Sequence, residues 1–337
     1  MKAIVQEGYG PVDKVLHLRD VPRPAVGDHE VLVRVRAASA HPDVWHVVTG
    51  RPFVLRLMGP GLRRPNDTIP GTDLAGTVEE VGENVTEFSP GDDVFGESRR
   101  GMGWRNGGTF ADYVSVPQDL LALKPGNITF EQAAAVPTAG IIALHNLPTG
   151  RRLRAGQHVL INGAGGGVGS MAVQLARAYG ARVTGVDGPD KLDMVRSLGA
   201  NHVVDYTRED FTRGAERYDL IFDVASNLSL SDCRRALTPT GIYVFIGHDH
   251  YGKARGRVLG SLPRALGLMA LSPFVRQLPT PDLSNPRQSD AMVALKRFIE
   301  AGQLTPVVNR TFPLGEVRDA LRYLAEGHAR GKVVVIP

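Results

Sequence analysis

One stretch carries the plainest chemistry in the chain: His158-Val159-Leu160-Ile161-Asn162-Gly163-Ala164-Gly165-Gly166-Gly167-Val168-Gly169-Ser170. The apolar run Val159 to Ile161 reads as a buried strand, and a glycine-rich turn follows at once. Val168, Met171, Ala172, Leu175, Ala176 and Tyr179 then recur at helical spacing, and Gly180 is placed to stop that helix. A strand, a glycine turn and a helix start together make an anion site. The first N–H groups of the helix have no intrahelical acceptor, and its dipole adds positive potential. Gly163, Gly166, Gly167 and Gly169 let a pyrophosphate approach where a Cβ would collide. A second strand, Ala181 to Val186, ends in Asp187. That carboxylate lies about 20 residues past the turn, where a dinucleotide site binds ribose hydroxyls. A glycine run alone serves equally well as a tight turn with no ligand, and the spacing here is Gly163-x-x-Gly166-x-x-Gly169 rather than a strict G-x-G-x-x-G. The whole succession of strand, turn, helix, strand and acid is what points to a nicotinamide dinucleotide. Gly247, closing a later strand, falls at the sheet edge where the nicotinamide would lie.

A second group of reactive side chains lies in Ala38-Ser39-Ala40-His41-Pro42-Asp43-Val44-Trp45. His41 can donate a hydrogen bond and titrates near neutrality, or it can cap the turn that follows. Asp43 reads as a helix first-turn partner rather than an acid. Trp45 suits either a pocket lining or the β-domain core. His41, His46 and the pair His248 and His250 invite a metal reading, but no second cluster of ligands completes a set. The one cysteine, Cys233, excludes an internal disulfide and a four-cysteine zinc site.

These residues need two kinds of scaffold. Up to about residue 130 the pattern is one of short alternating strands punctuated by Gly and Pro, which predicts a small barrel-like β domain. Beyond it helix and strand alternate: Gln132 to Leu147 helical and interrupted at Pro137, then the glycine unit, a helix Lys191 to Leu198, strands His202 to Tyr206 and Tyr218 to Val224, a helix Leu230 to Leu237 and the strand Ile242 to Gly247. This is the order of a doubly wound parallel sheet. Gly256 to Gln277 reads as an apolar, partly helical insertion and Pro279 to Pro286 as a crossing segment. Ser289 to Glu300 reads as an amphipathic helix. A proline-broken strand, the helix Glu316 to Glu326 and the strand Lys332 to Ile336 close the chain. With 337 residues, 22% charged and 42% apolar, the chain suits a two-domain globular enzyme. The net charge of +4 is spread over scattered clusters (Arg63-Arg64, Arg99-Arg100, Lys253 to Arg257) without an interleaved aromatic stripe, so no nucleic-acid partner is expected. No apolar run reaches the roughly 20 residues of a membrane span and no leader peptide is evident, so no membrane partner and a cytoplasmic location are expected.

Several motifs occur in one order along nearly the whole chain: Gly71-Thr72-Asp73-Leu74-Ala75-Gly76-Thr77-Val78, Pro90-Gly91-Asp92-Asp93-Val94, Gly107-Gly108-Thr109-Phe110-Ala111-Asp112-Tyr113, Gly163 to Gly169, and Gly327-His328-Ala329-Arg330-Gly331-Lys332-Val333-Val334. In them the chain resembles the medium-chain dehydrogenase/reductase superfamily, in its zinc-independent quinone oxidoreductase-like branch. The resemblance implies an α/β fold. A GroES-like β-barrel catalytic domain is expected over residues 1–124 and 285–337, and a Rossmann domain with a doubly wound parallel sheet over 125–284. It implies hydride transfer from NAD(P)H to a quinone or an α,β-unsaturated carbonyl. An enoyl-thioester reductase, a zinc-free alcohol or carbonyl oxidoreductase, and a non-catalytic nucleotide-binding protein stay open. The positions that hold catalytic zinc elsewhere in the superfamily fall on Ala40, Thr72 and Thr138, so no zinc is expected, and Thr72 and Thr138 become pocket candidates beside Trp45. His41 stands where the branch usually has asparagine and is the candidate catalytic residue. The branch commonly uses NADPH with a small residue at the position of Asp187. The carboxylate here favours NADH, while Lys191, Tyr206 and Arg208 remain able to form a phosphate pocket. A small-molecule substrate is expected. So is a homodimer formed by pairing of sheet edges beside the apolar insertion.

Overall fold

The computed structural model describes residues 1–59, 61–99, 104–147, 153–247, 258–279 and 288–337. The pair His248 and His250, the Lys253 to Arg257 cluster, Arg100 and nearly all of the Pro279 to Pro286 segment lie outside them.

The chain opens with β1 (Lys2–Gln6), α1 (Val12–Val15), β2 (Leu16–Asp20), β3 (Glu30–Ala40) and α2 (Pro42–Thr49). It continues through β4 (Asp73–Val81), β5 (Asp93–Glu97), β6 (Tyr113–Pro117) and β7 (Leu121–Leu123). In β3 the valines 31, 33 and 35 are buried while Arg34 and Arg36 point out, the period-2 pattern of a strand with one wet face. α2 begins with Pro42 and ends at Gly50 in the left-handed conformation, the usual asymmetry of helix ends.

The helices α3 (Phe130–Ala134) and α4 (Pro137–Asn146) lead into β8 (His158–Asn162), α5 (Gly167–Ala178), β9 (Arg182–Asp187), α6 (Leu192–Ser197), β10 (His202–Asp205), β11 (Tyr218–Asp223), α7 (Leu230–Ala236) and β12 (Leu237–Phe245). These five strands form one parallel sheet in the order β10-β9-β8-β11-β12. The order reverses at β8, so the crevice outside the carboxyl ends of β8 and β11 is the ligand position of such a sheet. α8 (Leu262–Leu271) and α9 (Gln288–Glu300) follow, and then β13 (Val308–Pro313), α10 (Val317–Ala325) and β14 (Lys332–Ile336).

The two closing strands rejoin the first half: β13-β14-β3-β4-β5-β7 run side by side, with β6 also on β3. A β unit, a doubly wound unit and a return to the β unit is therefore the observed architecture. One apolar core fills the β unit around Val33, Leu74 and Phe110, and a second lies between α4, α5 and the parallel sheet. The return brings Gly331 onto the glycine turn, where its N–H donates to Gly165 O at 2.8 Å.

On the outer edge of β12 the Tyr243 N–H donates to Gln277 O of the same chain at 2.7 Å.

Candidate active site

The glycine turn divides its labour in three. Gly163 has φ +87°, which the turn requires. A Cβ on Gly169 would lie 2.0 Å from Gly163 O, so this glycine lets helix and strand pack. A Cβ on Gly166 would meet nothing nearer than Gly163 O at 3.6 Å. The bareness of Gly166 serves no packing within the chain; it leaves room beside the start of α5 for a ligand. No side chain among the described residues caps α5, whose start is bordered on one side by the bridge between Gly166 and Gly331. These residues fit a dinucleotide pyrophosphate.

Asp187 ends β9 and is buried. Its Oδ2 accepts from Gly165 N at 2.7 Å and its Oδ1 from Gly188 N at 2.8 Å. The carboxylate therefore has a fixed orientation at the turn, and each oxygen keeps a lone pair for a ribose hydroxyl. Lys191 Nζ lies 3.8 Å from Asp187 Oδ1 and donates to Gly327 O at 3.0 Å. Arg208 pairs with Asp205, and Tyr206 is exposed. Lys191 and Tyr206 thus border the end of β9, where a Cβ on Gly188 would lie 3.6 Å from the Tyr206 hydroxyl, and the alternative of a phosphate pocket stays open. Gly247, just past β12, has φ +107° and donates its N–H to Ser226 Oγ at 2.9 Å.

On the β unit, strand register sets Ser39 of β3 and Glu97 of β5 beside Asp73 of β4. Asp73 is fully buried. Its Oδ1 accepts from Thr138 N at 3.2 Å and Thr138 Oγ1 at 2.5 Å; its Oδ2 accepts from Ser39 Oγ at 2.8 Å and Lys332 Nζ at 3.3 Å. Burial pushes its pKa up, but Lys332, His41 and the two hydroxyls outweigh that and hold the carboxyl below its ordinary value. The Lys332 stem runs against the start of α5, where a Cβ on Gly167 would lie 2.8 Å from Lys332 Cδ. One lysine side chain therefore separates the glycine cradle from the Asp73 cluster.

His41 sits next to this cluster, 5% exposed, with Nε2 2.7 Å from Thr72 Oγ1. It precedes α2 in the N-cap position, yet its side chain makes no capping bond. Burial, opposed by the charges of Asp73 and Asp43, depresses its pKa to about 4. Two expectations from the sequence are corrected. The imidazole does not titrate near neutrality, and it does not cap the turn; its ring is committed to Thr72. Trp45 packs against the core of the β unit and meets the His46 ring edge-on, the second of its two readings. Asp43, in the first turn of α2, pairs with Arg99 at 2.7 Å, and Arg99 reaches Glu97 at 2.5 Å.

Ala40, Thr72 and Thr138 do come together, but not as ligands. Thr72 serves His41 and Thr138 serves Asp73. Among the described residues His41 is the imidazole at this place, Asp43 Oδ2 lies 3.9 Å from its Nδ1 but is paired with Arg99, and Asp73 is held by Lys332. Among the described residues no group of three His, Cys, Asp or Glu side chains is placed to hold a metal ion. This donor set does not fit zinc. Asp73, Lys332 and Ser39 were not singled out as site residues from the sequence. The signal was present, since Asp73 follows Thr72 in one motif and Lys332 belongs to the last.

Two buried groups titrate in opposite senses. His41 has a folded pKa of about 4 against an ordinary 6.5, so as the pH falls through that window only the unfolded chain binds the proton and stability drops. Burial raises Glu97 to about 7 from 4.5, against the opposing pull of Arg99, so as the pH falls there only the folded chain binds the proton and stability rises. Between pH 4.5 and 6.5 the two offset each other. Glu97→Gln is expected to uncover the histidine: its unfolding free energy should fall with acid more steeply than wild type, by up to about 1.4 kcal/mol per pH unit. Equal slopes in denaturant titrations across that range would show Glu97 ionised in the folded chain.

Comparisons with known proteins fit this geometry. Residues 27–126 match the alcohol dehydrogenase GroES-like domain, and residues 198–335 match the zinc-binding dehydrogenase family. The NADPH-dependent alkenal/one oxidoreductase of Arabidopsis thaliana chloroplasts is 34% identical, over 100% of this chain and 80% of that protein. The 2-methylene-furan-3-one reductase of Solanum lycopersicum is 31% identical, over 100% and 79%. A quinone oxidoreductase structure from Coxiella burnetii superposes with a TM-score of 0.82 at 28% identity, covering 100% of this chain and 99% of that one. From cradle to closing lysine, the chain belongs to the medium-chain dehydrogenase/reductase superfamily, in its quinone oxidoreductase-like branch.

Proposed function

We propose that the protein reduces quinones or α,β-unsaturated carbonyls with NADH, without a metal. One observation carries the reading: an open dinucleotide cradle lies one lysine side chain from a buried, neutral His41–Thr72 pair that stands where a metal would otherwise be held. When bound, the nicotinamide supplies a hydride. Hydride addition at the far carbon of an enone builds charge on oxygen, and a hydroxyl can meet that charge. His41 in its Nε2–H form donates to Thr72 Oγ1, which leaves the Thr72 hydrogen free to donate to the substrate oxygen. Asp73, through Thr138 and Lys332, keeps this wall fixed relative to the cradle. The relatives named for alkenal, furanone and quinone reduction support the substrate class. The test is nicotinamide oxidation with a panel of quinones, alkenals and enoyl thioesters. Tight cofactor binding with no turnover on any of them would overturn the reading and favour a nucleotide-binding role.

The cofactor preference rests on Asp187. A carboxylate accepts from both ribose hydroxyls of NADH and meets a 2′-phosphate with like charge. The relative named as NADPH-dependent argues the other way, so the comparison of kcat/KM for the two cofactors decides it. The wild type is expected to prefer NADH, and Asp187→Ser to move the ratio toward NADPH by about tenfold or more. A wild type that prefers NADPH, with no response to the substitution, would refute this role.

The homodimer is expected beside the apolar insertion, and α8 is the helix of that insertion. α8 has apolar residues on both faces. Leu268 and Val275 just beyond it pack inward, while Leu266, Met269 and, past its end, Phe274 at 84% exposure point outward. A helix apolar all round is normally covered. We place the contact between subunits on this face. Sedimentation at micromolar concentration should show a dimer that Phe274→Asp dissociates; a monomeric wild type would contradict it.

A further inference from the structure

The crevice of the parallel sheet has two lips. One is the glycine turn after β8. The other is the segment Val224 to Leu228 after β11. Val224 N and Ala225 N both donate to Asn162 O, at 3.0 and 3.1 Å, so the second lip hangs from the strand that carries the first. Asp187 at the end of β9 takes the adenosine half of a dinucleotide, so the nicotinamide half runs across β8 toward β11 and β12. The second lip therefore borders the reacting half.

That lip holds a costly conformation. Ser226 has φ +53°, alone among the described non-glycine residues in being positive. Its N–H donates to Asp223 Oδ1 at 2.8 Å, its hydroxyl to Asp223 O at 2.9 Å, and its Oγ accepts from Gly247 N at 2.9 Å. A residue from a distant part of the chain completes the arrangement. Arg264, in the first turn of α8, donates from Nη1 to Ser226 O at 2.5 Å and from Nη2 to Leu228 O and to the Tyr243 hydroxyl, the last at 2.8 Å. The Tyr243 hydroxyl in turn donates to Asp223 Oδ2 at 2.7 Å. The guanidinium also lies 4.8 Å from the Phe245 ring centre. One planar cation thus bridges the middle and the far end of the lip and ties it to the buried Asp223.

We propose that Arg264 is a positioning residue for the nicotinamide half of the cofactor: the insertion helix α8 sets the shape of the second lip through this single side chain. It touches no reacting atom and acts through Ser226 and Gly247. The inference rests on the nicotinamide cofactor of the proposed reaction.

The two halves of the cofactor can be weighed separately by calorimetric titration with NADH and with ADP-ribose, which lacks the nicotinamide. Arg264→Met is expected to weaken NADH about tenfold and to leave ADP-ribose within about twofold, the loss of one charge-assisted set of hydrogen bonds. Arg264→Lys, which keeps charge but cannot span both carbonyls, should fall between. Should the methionine variant fail to fold, Tyr243→Phe removes the hydroxyl that joins Arg264 to Asp223, keeps both carbonyl acceptors, and should shift the same ratio in the same direction. Equal weakening of both ligands, or an unchanged ratio alongside a lowered melting temperature, would overturn the proposal. A wild type that binds neither ligand would instead overturn the cofactor reading, and the inference with it.

Discussion

Lys332→Met is expected to destabilise the protein by about 3–5 kcal/mol, the largest stability effect of any substitution considered. Methionine keeps the stem against Gly167 and removes only the ammonium. Asp73 would then be a fully buried carboxylate with hydroxyls and one N–H but no counter-ion. Such a half-pair costs far more than the pair itself contributes, because the remaining charge loses its partner and cannot recover water. The melting temperature should fall by on the order of 10 °C for domains of this size. Lys332→Arg should recover part of the loss. The double variant Lys332→Met, Asp73→Asn should melt well above the sum of its single effects, since the buried charge is gone. Additive losses in that cycle would show that Asp73 and Lys332 do not interact. A methionine variant as stable as wild type would show that Asp73 is protonated in the folded chain.

His41→Ala should leave the protein folded and lower kcat and kcat/KM together by about 10²-fold. That is the pattern of a donor interaction that strengthens only in the transition state. The loss arises through Thr72. Without the imidazole, the Thr72 hydroxyl can turn away and the oxygen of the substrate loses its donor. His41→Asn, which keeps an N–H near Oγ1, should recover much of the rate. The pH profile gives a second readout. A histidine depressed to about 4 is neutral across the range of the assay, so the rate should show no step near the ordinary imidazole value of 6.5. A step there that vanishes in His41→Asn would show that the ring titrates as a solvated group. Unchanged kinetics in a stable alanine variant would remove the His41–Thr72 pair from the chemistry and leave water to meet the oxyanion.

Much of the architecture is legible in the residues because local patterns report local structure. The run Val159 to Ile161, the glycine turn and the helical spacing from Val168 onward are adjacent in sequence, so β8, α5 and the cradle follow from short-range rules. Pro137 and Gly199 mark element ends for the same reason: each limits or extends the backbone torsions at its own position. The exchange of zinc ligands for Ala40, Thr72 and Thr138 is likewise a matter of residue identity.

What joins those parts is not local, and only the tertiary structure decides it. Asp73 and Lys332 are 259 positions apart, and they meet because β14 returns to β3 while β3 pairs with β4. The partner of His41 is 31 positions away, across the same strand pairing, and the burial that depresses its pKa belongs to the packed domain rather than to the ring. A sequence reading assigns an exposed histidine its solution chemistry, because desolvation is a property of the surroundings. The same holds for Arg264, whose acceptors Ser226 and Leu228 precede it by 38 and 36 residues. The type and order of the elements were thus written in short-range patterns, while the identity of each buried charge's partner was set by strand register and by where the chain returned.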